Sequence, residues 1–346
     1  MKNKAIDLFA GAGGLSMGLK MAGWDVRVAV EYNATAIETH RKNMPDTLHL
    51  CDDIRDIDFR NYEGAIELVA GGPPCQPFSV SGKQLGKLDI RDMVPEFIRV
   101  VRQVRPRAFL MENVRGLTTA RFLPYLEERI EELRELGYDV HWQVLNAADY
   151  GVPQNRYRLF VIGVPAGVKF TFPEPTHGPK RKNKYSTVSE ALAGCPIDEP
   201  NRAKIVFAKN PILRRSPYAG MLLNGKGRPL NMNGPSHTIP ATAGGNRTHI
   251  LDPKGVLHQY HEHLQNGGVP KNGEVEDCSR LTVRQSARLQ TFPDGFEFAG
   301  RKNEQYSQIG NAVPPEFAAI VAKSLYEALF SSGVKRKKKV ATLPNS

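Results

Sequence analysis

Short apolar runs alternate with amphipathic stretches through the first half of the chain. Residues 5–10 form an apolar run that ends in a glycine cluster, and residues 15–22 have the spacing of a helix. Further strands are predicted at 25–30, near 65–70, and at 108–111, 140–145 and 158–164, with helices at 93–104 and 122–136. Strands that alternate with helices predict an α/β fold with a doubly wound, mostly parallel sheet.

Regular spacing fades in the second half of the chain. Residues 166–280 are rich in Pro, Gly, Asn and basic residues, whereas helical spacing returns at 282–291 and 314–329. The second of these helices begins at prolines, which helix starts tolerate. We therefore predict a first domain at 1–165, a smaller loop-rich domain at 166–280, a segment at 281–330 that returns to the first domain, and a basic, disordered tail at 331–346.

The composition of the chain indicates a polyanionic partner. The 346 residues carry a formal net charge of +11, with Lys and Arg spread along the chain. A basic surface attracts polyanions through the release of counterions, so nucleic acid is the first candidate partner. Many basic proteins have only a solvated basic face, and charge alone leaves both interpretations open.

The cysteines and the apolar runs limit the cellular setting. Four cysteines, Cys51, Cys75, Cys195 and Cys278, lie far apart, so we expect neither a metal site nor a disulfide framework. No apolar run approaches the roughly 18 residues of a membrane span, and Asp7 interrupts the N-terminal run that could resemble a signal peptide. We expect a cytoplasmic protein without membrane contact.

The glycine cluster after the first strand suggests a nucleotide site. Gly11, Gly13 and Gly14 would let a ligand approach the backbone just before a helix, although they lack the dinucleotide-binding spacing. Glu31 follows the second strand, where a carboxylate can accept hydrogen bonds from ribose. Asp53 sits where another strand could end and would suit an adenine amino group. A plain turn, a surface acid and a helix cap are the alternative interpretations.

The segment GGPPCQPFSVSGK, residues 71–83, is the sharpest feature of the sequence. Two prolines stiffen the backbone directly after an apolar strand, and Cys75 follows them. Active sites of parallel sheets lie at such strand ends. A lone cysteine is more often a small buried apolar residue, but this setting favours a nucleophile.

Motifs from both ends of the chain together resemble the cytosine-5 DNA methyltransferases. These are DLFAGAGGLS, GGPPCQPFS, MENV, DYGVPQNRYRLFVIG and QIGNAVPP, in the order that the family shows. The resemblance implies a class I S-adenosylmethionine-dependent methyltransferase with a Rossmann-like sheet. It also makes residues 166–280 the target-recognition domain of the family.

The resemblance assigns catalytic roles to Cys75, Glu112, Arg156 and Arg158. Carbon 5 of cytosine is a poor nucleophile, and addition of the Cys75 thiolate to carbon 6 activates it. Glu112, in MENV, would bond N3 and the exocyclic amine of the base. Arg156 is expected to orient Glu112, and Arg158 to reach the base oxygen or a phosphate, because both follow a strand-like alternation.

The resemblance likewise places S-adenosylmethionine across the glycine turn. Phe9 would pack on adenine, Glu31 would bind ribose, and Asp53 would bind the adenine amino group. Asn311 comes from the far end of the chain, so the helix after it should pack beside the first strand. The full predicted cofactor set is Phe9, Gly11, Gly13, Gly14, Glu31, Tyr32, Asp53, Ile54, Pro74 and Asn311.

Double-stranded DNA is the partner that the resemblance implies. The target cytosine must leave the duplex before a thiol can reach carbon 6, and residues 79–91 could close over it. Contacts to the DNA backbone are expected from Arg214, Arg215, Lys226 and Arg228. We expect a monomer of a restriction-modification system, with a paired endonuclease that makes no stable contact. An RNA methyltransferase and a non-catalytic regulator are the rival hypotheses.

Overall fold

A seven-stranded sheet forms the centre of the protein. The computed structural model describes residues 3–74, 92–242 and 244–330. The strands of the sheet are β1 (Lys4–Leu8), β2 (Asp25–Val30), β3 (Leu48–Leu50), β4 (Leu68–Gly71), β5 (Ala108–Val114), β6 (Tyr138–Asn146) and β7 (Tyr157–Pro165). They lie in the order β3-β2-β1-β4-β5-β7-β6, and only β7 runs antiparallel to its neighbours. The predicted α/β, mostly parallel sheet is confirmed.

Helices cover both faces of this sheet. In chain order the helices are α1 (Gly14–Met21), α2 (Ala34–Asn43), α3 (Val94–Val104), α4 (Leu123–Glu135), α5 (Val188–Leu192), α6 (Val256–Gln265), α7 (Val283–Leu289), α8 (Lys302–Asn311) and α9 (Pro315–Phe330). Alternate residues of a strand face opposite sides, so Ile6 and Leu8 pack towards α3 and α4, while Ala5 packs towards α1 and α9. None of the described helices is long and apolar enough to cross a bilayer.

The C-terminal helix α9 lies directly on α1. A Cβ atom on Gly18 would come within 2.4 Å of the Ala318 Cβ, so only glycine permits this approach. The indole N–H of Trp24 donates to the Ala322 carbonyl at 3.2 Å. Residues from opposite ends of the sequence therefore share one core beneath the sheet.

Residues between β7 and α7 form small sheets and long loops. Strands β8 (Phe207–Ile212) and β9 (Met221–Leu223) pair antiparallel, as do β10 (Ile250–Leu251) and β11 (Ser279–Arg280). Arg280 is buried and donates to the carbonyls of Ala203, Lys204 and Thr248. Side-chain donors thus satisfy backbone groups that no regular sheet would pair.

Candidate active site

The carboxyl ends of β1, β4 and β5 lie side by side at one edge of the sheet. Strand β1 pairs with β2 on one side and β4 on the other, which is the point where the strand order reverses. Doubly wound sheets bind their ligands in the crevice at such a point. The glycine turn follows β1, the GGPP segment continues from the end of β4, and Glu112 lies near the end of β5. All three therefore share this edge.

The glycines of the turn have different physical requirements. Gly11 and Gly13 have φ values of 54° and 96°, which favour glycine, and a Cβ on Gly11 would meet no atom within 4 Å. A Cβ on Gly14 would lie 2.3 Å from the Val313 carbonyl oxygen. Phe9 also has a positive φ, 57°, a strained state for a bulky residue. The turn therefore has open space beside Gly11 and close packing beneath Gly14.

Glu31 holds this turn from the neighbouring strand. Its carboxylate accepts the Gly11 N–H at 3.0 Å and the Asn33 N–H at 2.9 Å. Burial raises the pKa of Glu31, although these N–H groups act in the opposite direction. Each carboxylate oxygen can accept a further hydrogen bond, so Glu31 can fix the turn and still meet a ligand hydroxyl.

The other predicted adenosine contacts follow β2 and β3, which are parallel, at the same edge of the sheet. Tyr32 is 72% exposed beside Glu31, whereas Ile54 is buried in the core. Asp53 caps a short turn by accepting the Arg55 N–H at 3.0 Å, and it also pairs with the Arg55 guanidinium. Hydrogen bonds from Arg55 lower the pKa of Asp53 to about 2. Asp53 is an ionised acceptor and a turn cap at the same time.

Glu112 lies against the segment that leads to Cys75. It is buried near the end of β5, and a Cβ on Gly72 would lie 3.2 Å from its Oε2 atom. The neighbouring Asn113 donates its side-chain amide to the Pro73 carbonyl at 3.1 Å, and the Pro74 carbonyl accepts the Met93 N–H at 3.3 Å. The GGPP backbone is thus tied to β5. Cys75 and the predicted loop at 79–91 lie outside the described residues.

Arg158, and not Arg156, contacts Glu112. The Arg158 Nε atom lies 2.8 Å from Glu112 Oε1, and both side chains are largely buried. Burial raises the pKa of Glu112, while the positive charges of Arg158 and Arg156 lower it. The prediction that Arg156 orients Glu112 was wrong. Arg156 precedes β7 and turns towards the carbonyls of other segments.

The Arg156 guanidinium joins three parts of the chain. It is 1% exposed and donates to the carbonyls of Ile239, Gly310 and Ala312 at 3.3, 2.9 and 2.9 Å. Gly310 and Ala312 flank Asn311 at the end of α8, where carbonyls lack helical partners. Within the described chain no carboxylate lies within ion-pair distance of Arg156. Its role in this structure is therefore to connect the loop-rich region to α8.

Two buried glutamines extend this junction. Gln154 donates to the Leu289 carbonyl at 3.2 Å and to the side chain of Gln290 at 2.9 Å, and it accepts the Ile239 N–H at 3.1 Å. Gln290 donates to the Ile309 carbonyl. Sequence reasoning missed these residues because a polar side chain in a loop carries no periodic signal.

Asn311 lies at the exposed end of α8, close to the glycine turn. Val313, two residues later, contacts Gly14, and a Cβ on Gly310 would lie 2.3 Å from the Pro240 carbonyl oxygen. The structure therefore brings the QIGNAV motif to the first β-α unit. Helix α9 lies on α1, and its apolar residues share one core cluster with Ala5 of β1, the strand beside which this helix was predicted to pack.

Two further side chains at this edge were not singled out from sequence. The Arg115 guanidinium lies 5.2 Å from the ring centroid of Tyr157, the residue that precedes Arg158 in β7.

The basic residues predicted to contact DNA are exposed and form no ion pair within the described chain; they are Arg214, Arg215, Lys226 and Arg228.

Comparison with known proteins identifies the family. The model for the C-5 cytosine-specific DNA methylase family matches residues 3–327. The Type II methyltransferase M.NgoMIV of Neisseria gonorrhoeae is 35% identical over 331 residues, covering 95% of this chain and 99% of that protein. Both similarities extend over almost the whole chain, and they include the strand ends described above.

Solved structures share the same architecture. A prophage-encoded E. coli protein, assigned as a DNA modification methyltransferase, aligns with a TM-score of 0.66 at 26% identity, over 94% of this chain and 99% of that one. A Spodoptera frugiperda DNMT2 variant aligns with a TM-score of 0.70 at 18% identity, over 94% and 100% of the two chains. The chain described here belongs to the C-5 cytosine-specific DNA methylase family, whose fold is that of the class I S-adenosylmethionine-dependent methyltransferases.

Proposed function

We propose that this DNA cytosine-5-methyltransferase modifies a flipped-out cytosine in a short duplex site through a covalent adduct with Cys75. Its similarity over nearly the full length to a Type II methyltransferase favours a role in restriction-modification. The observation that carries the catalytic proposal is the buried Glu112–Arg158 pair beside the GGPP backbone. A paired endonuclease, a monomeric state and a cytoplasmic location complete the proposal.

The residues around the glycine turn fit S-adenosylmethionine. Gly11 borders open space, Tyr32 offers an exposed ring for stacking, and Glu31 offers a fixed carboxylate for a ribose hydroxyl. Asp53 remains ionised and could accept from an adenine amino group. Phe9, Gly13, Gly14, Ile54, Pro74 and Asn311 complete the proposed set. When bound, S-adenosylmethionine supplies the methyl group.

Cys75 and Glu112 would share the activation of cytosine. The Cys75 thiolate adds to carbon 6, and the electron pair of the 5,6 double bond becomes available at carbon 5. Glu112 bonds N3, where negative charge would otherwise develop. Burial raises the pKa of Glu112, which favours the protonated form that can donate a hydrogen bond to N3. After carbon 5 is methylated, loss of its proton and expulsion of Cys75 restore the double bond.

Arg158 would hold Glu112 in place for this reaction, and Asn113 would hold the segment before Cys75. The Arg158 Nε–H occupies one carboxylate oxygen of Glu112, which leaves Oε2 directed towards Gly72 and the segment before Cys75. Asn113 fixes that segment through the Pro73 carbonyl. The acid would therefore be positioned by Arg158 of β7, and the segment before the nucleophile by Asn113 of β5.

The loop-rich region would supply the DNA contacts. Its exposed basic residues would bind phosphates, and residues 79–91 would close over the flipped cytosine. The junction built on Arg156 connects this region to the residues that flank Asn311, so one buried guanidinium links the proposed DNA-binding region to the proposed cofactor site.

Bisulfite sequencing of methylated substrates tests this proposal. The purified protein and its Glu112→Gln variant are incubated with S-adenosylmethionine and unmethylated plasmid, with RNA treated in parallel. We expect protected cytosines in one short DNA context with the unmodified protein, and at least about 100-fold slower methylation by the variant. An Asp139→Asn variant on a remote part of β6 serves as the matched control.

Each rival hypothesis has its own outcome in this experiment. Modification of RNA but not DNA would favour the RNA methyltransferase. Unmodified DNA and RNA, with S-adenosylmethionine demonstrably bound, would favour the non-catalytic regulator.

A further inference from the structure

A buried polar network crosses the fold directly beneath the glycine turn. Ser16 on α1 bonds Asp7 on β1 at 2.6 Å, and His40 Nε2 on α2 lies 2.9 Å from Ser16 Oγ. His40 Nδ1 in turn lies 2.9 Å from His49 Nε2 on β3. Asp7, Ser16 and His40 are fully buried. We call these four residues the Asp7 network; it lies outside the predicted catalytic and cofactor sets.

The Asp7 network supports the turn by direct contact. A Cβ on Gly13 would lie 2.9 Å from the His40 ring and 3.0 Å from the end of Met44. The turn therefore rests on the imidazole, with no space between them. Glu31, which holds Gly11, also acts on Asp7 through its charge. A change in the network would therefore affect the turn in two ways, through the contact of His40 with Gly13 and through Glu31, which binds Gly11.

The hydrogen bonds of the network all run in one direction for a given protonation state. An ionised Asp7 only accepts, so Ser16 must donate to it, and Ser16 must then accept from His40 Nε2. His40 Nδ1 is left as an acceptor for the His49 N–H. If Asp7 carries a proton on Oδ2, every one of these bonds can reverse. An ionised Asp7 thus fixes the orientation of the protons up to His49, whereas a protonated Asp7 permits either orientation.

Burial brings the two states of Asp7 close together in energy near neutral pH. Desolvation raises the pKa of Asp7 to about 7, and Asp7 Oδ1 has no hydrogen-bond partner among the described residues. Desolvation lowers the pKa of His40 to about 3, so His40 stays neutral.

Few charged groups act on the network. Glu31 acts on Asp7 from the end of β2, and Lys20 acts on His40 from α1. Glu38 and Arg41 act on His49 from α2, with effects of opposite sign.

We propose that Asp7, Ser16 and His40 are positioning residues for the cofactor turn, and that S-adenosylmethionine binds more tightly when Asp7 is ionised. This inference rests on the proposed cofactor site. In the proposed site the sulfonium cation would lie beside the turn, and a carboxylate beneath the turn would attract it, because the protein interior screens charges less than water does. The fixed orientation of Ser16 and His40 then holds Gly13 in its left-handed conformation.

Calorimetric titration with S-adenosylmethionine between pH 6 and pH 8 tests this inference. The unmodified protein should bind more weakly at pH 6 than at pH 8 by about fivefold, the ratio that results across this interval when binding lowers the Asp7 pKa, about 7 in the free protein, by about one unit. Asp7→Asn should abolish most of this change, and Ser16→Ala should weaken binding at pH 8 to the level at pH 6. The cofactor amine and Glu31 are present in both variants. Their contribution to the pH dependence is therefore removed when the unmodified protein is compared with a variant.

S-adenosylhomocysteine and His49→Gln provide the further controls. The demethylated product lacks the sulfonium charge, so its affinity should depend less on the state of Asp7. His49 is the half-buried end of the network, so His49→Gln is the variant to use if the core variants do not fold. This variant should shift the pH at which the affinity for S-adenosylmethionine changes. Equal pH dependence in the unmodified protein and the folded variants would overturn the inference. Absence of binding by the unmodified protein would instead contradict the proposed cofactor site.

Discussion

Buried charged side chains in this protein differ mainly in what surrounds them. Glu112 pairs with Arg158, Asp7 accepts from Ser16, and Arg156 donates only to backbone carbonyls among the described residues. A buried charge without partners is strongly unfavourable, so each arrangement identifies the neighbours on which the residue depends. These environments lead to different consequences for substitution.

Arg158→Lys should reduce activity more than stability. Lysine keeps the positive charge but cannot present the planar donor group that aligns the Glu112 carboxylate. We expect kcat for plasmid methylation to fall by about 100-fold, while the free energy of unfolding falls by about 1 kcal/mol, the net contribution of one hydrogen bond. Steady-state kinetics and urea denaturation measure the two quantities. Unchanged kcat would contradict a role for Arg158 in positioning Glu112.

Arg156→Lys should have the opposite profile. An ammonium group cannot reach the carbonyls of Ile239, Gly310 and Ala312 together, and buried carbonyls without donors destabilise the fold. We expect the free energy of unfolding to fall by about 2 to 3 kcal/mol, with Arg158→Lys as the matched comparison. If Arg156→Lys instead lost kcat at full stability, the connecting role assigned to Arg156 would be wrong.

Asp7 should make stability decrease with rising pH. Above pH 3.8 the unfolded chain loses the Asp7 proton, but the folded protein keeps it until about pH 7. The folded state is therefore progressively penalised across this interval, and the penalty is constant above it. Between pH 5 and pH 8 the unmodified protein should lose on the order of 2 kcal/mol relative to Asp7→Asn. Comparing the two proteins cancels the contribution of His40; parallel stability curves would refute the assignment.

At the scale of elements, the sequence predicted six of the seven strands of the central sheet and the helices α1, α3, α4, α7 and α9, but neither β3 nor α2. Short apolar runs located β2 and β5, while β3 has only three residues and no apolar run to reveal it. Helix α6 follows a glycine and has a mixed polar composition, so its pattern did not stand out. Arg156 and Arg158 were assigned to one face by strand alternation, but β7 begins at Tyr157, after Arg156.

The contact between α1 and α9 should be sensitive to a single methyl group. A Cβ on Gly18 would lie 2.4 Å from the Ala318 Cβ and 2.6 Å from the Pro315 carbonyl oxygen, and backbone atoms cannot easily move away. Gly18→Ala should therefore lower the free energy of unfolding by about 1 to 3 kcal/mol, despite the better helix propensity of alanine. Gly295→Ala is the control, because no atom lies within 4 Å of its added Cβ. Equal thermal stability of the two variants would contradict this packing.

At the scale of the whole molecule, residues distant in sequence build a common site. Motifs at both ends of the chain predicted the family and the fold, because each motif matches a strand end or a helix start. The shared core that joins Met44, Ile239, Leu281 and Ile309 has no such signal, since it depends on long-range packing. The same limit applies to Gln154 and Gln290, whose partners lie more than 100 residues away or in another loop.

Covalent trapping on DNA that contains 5-fluorocytosine tests the central claim most directly. Fluorine cannot leave carbon 5 as a cation, so an enzyme that has added to carbon 6 and methylated carbon 5 stays bonded to the base. With S-adenosylmethionine present, we predict a DNA adduct on the peptide that contains Cys75, identified by mass spectrometry, and no adduct with Cys75→Ser. An adduct on Cys51, Cys195 or Cys278, or none with active protein, would contradict the assignment of Cys75 as the nucleophile.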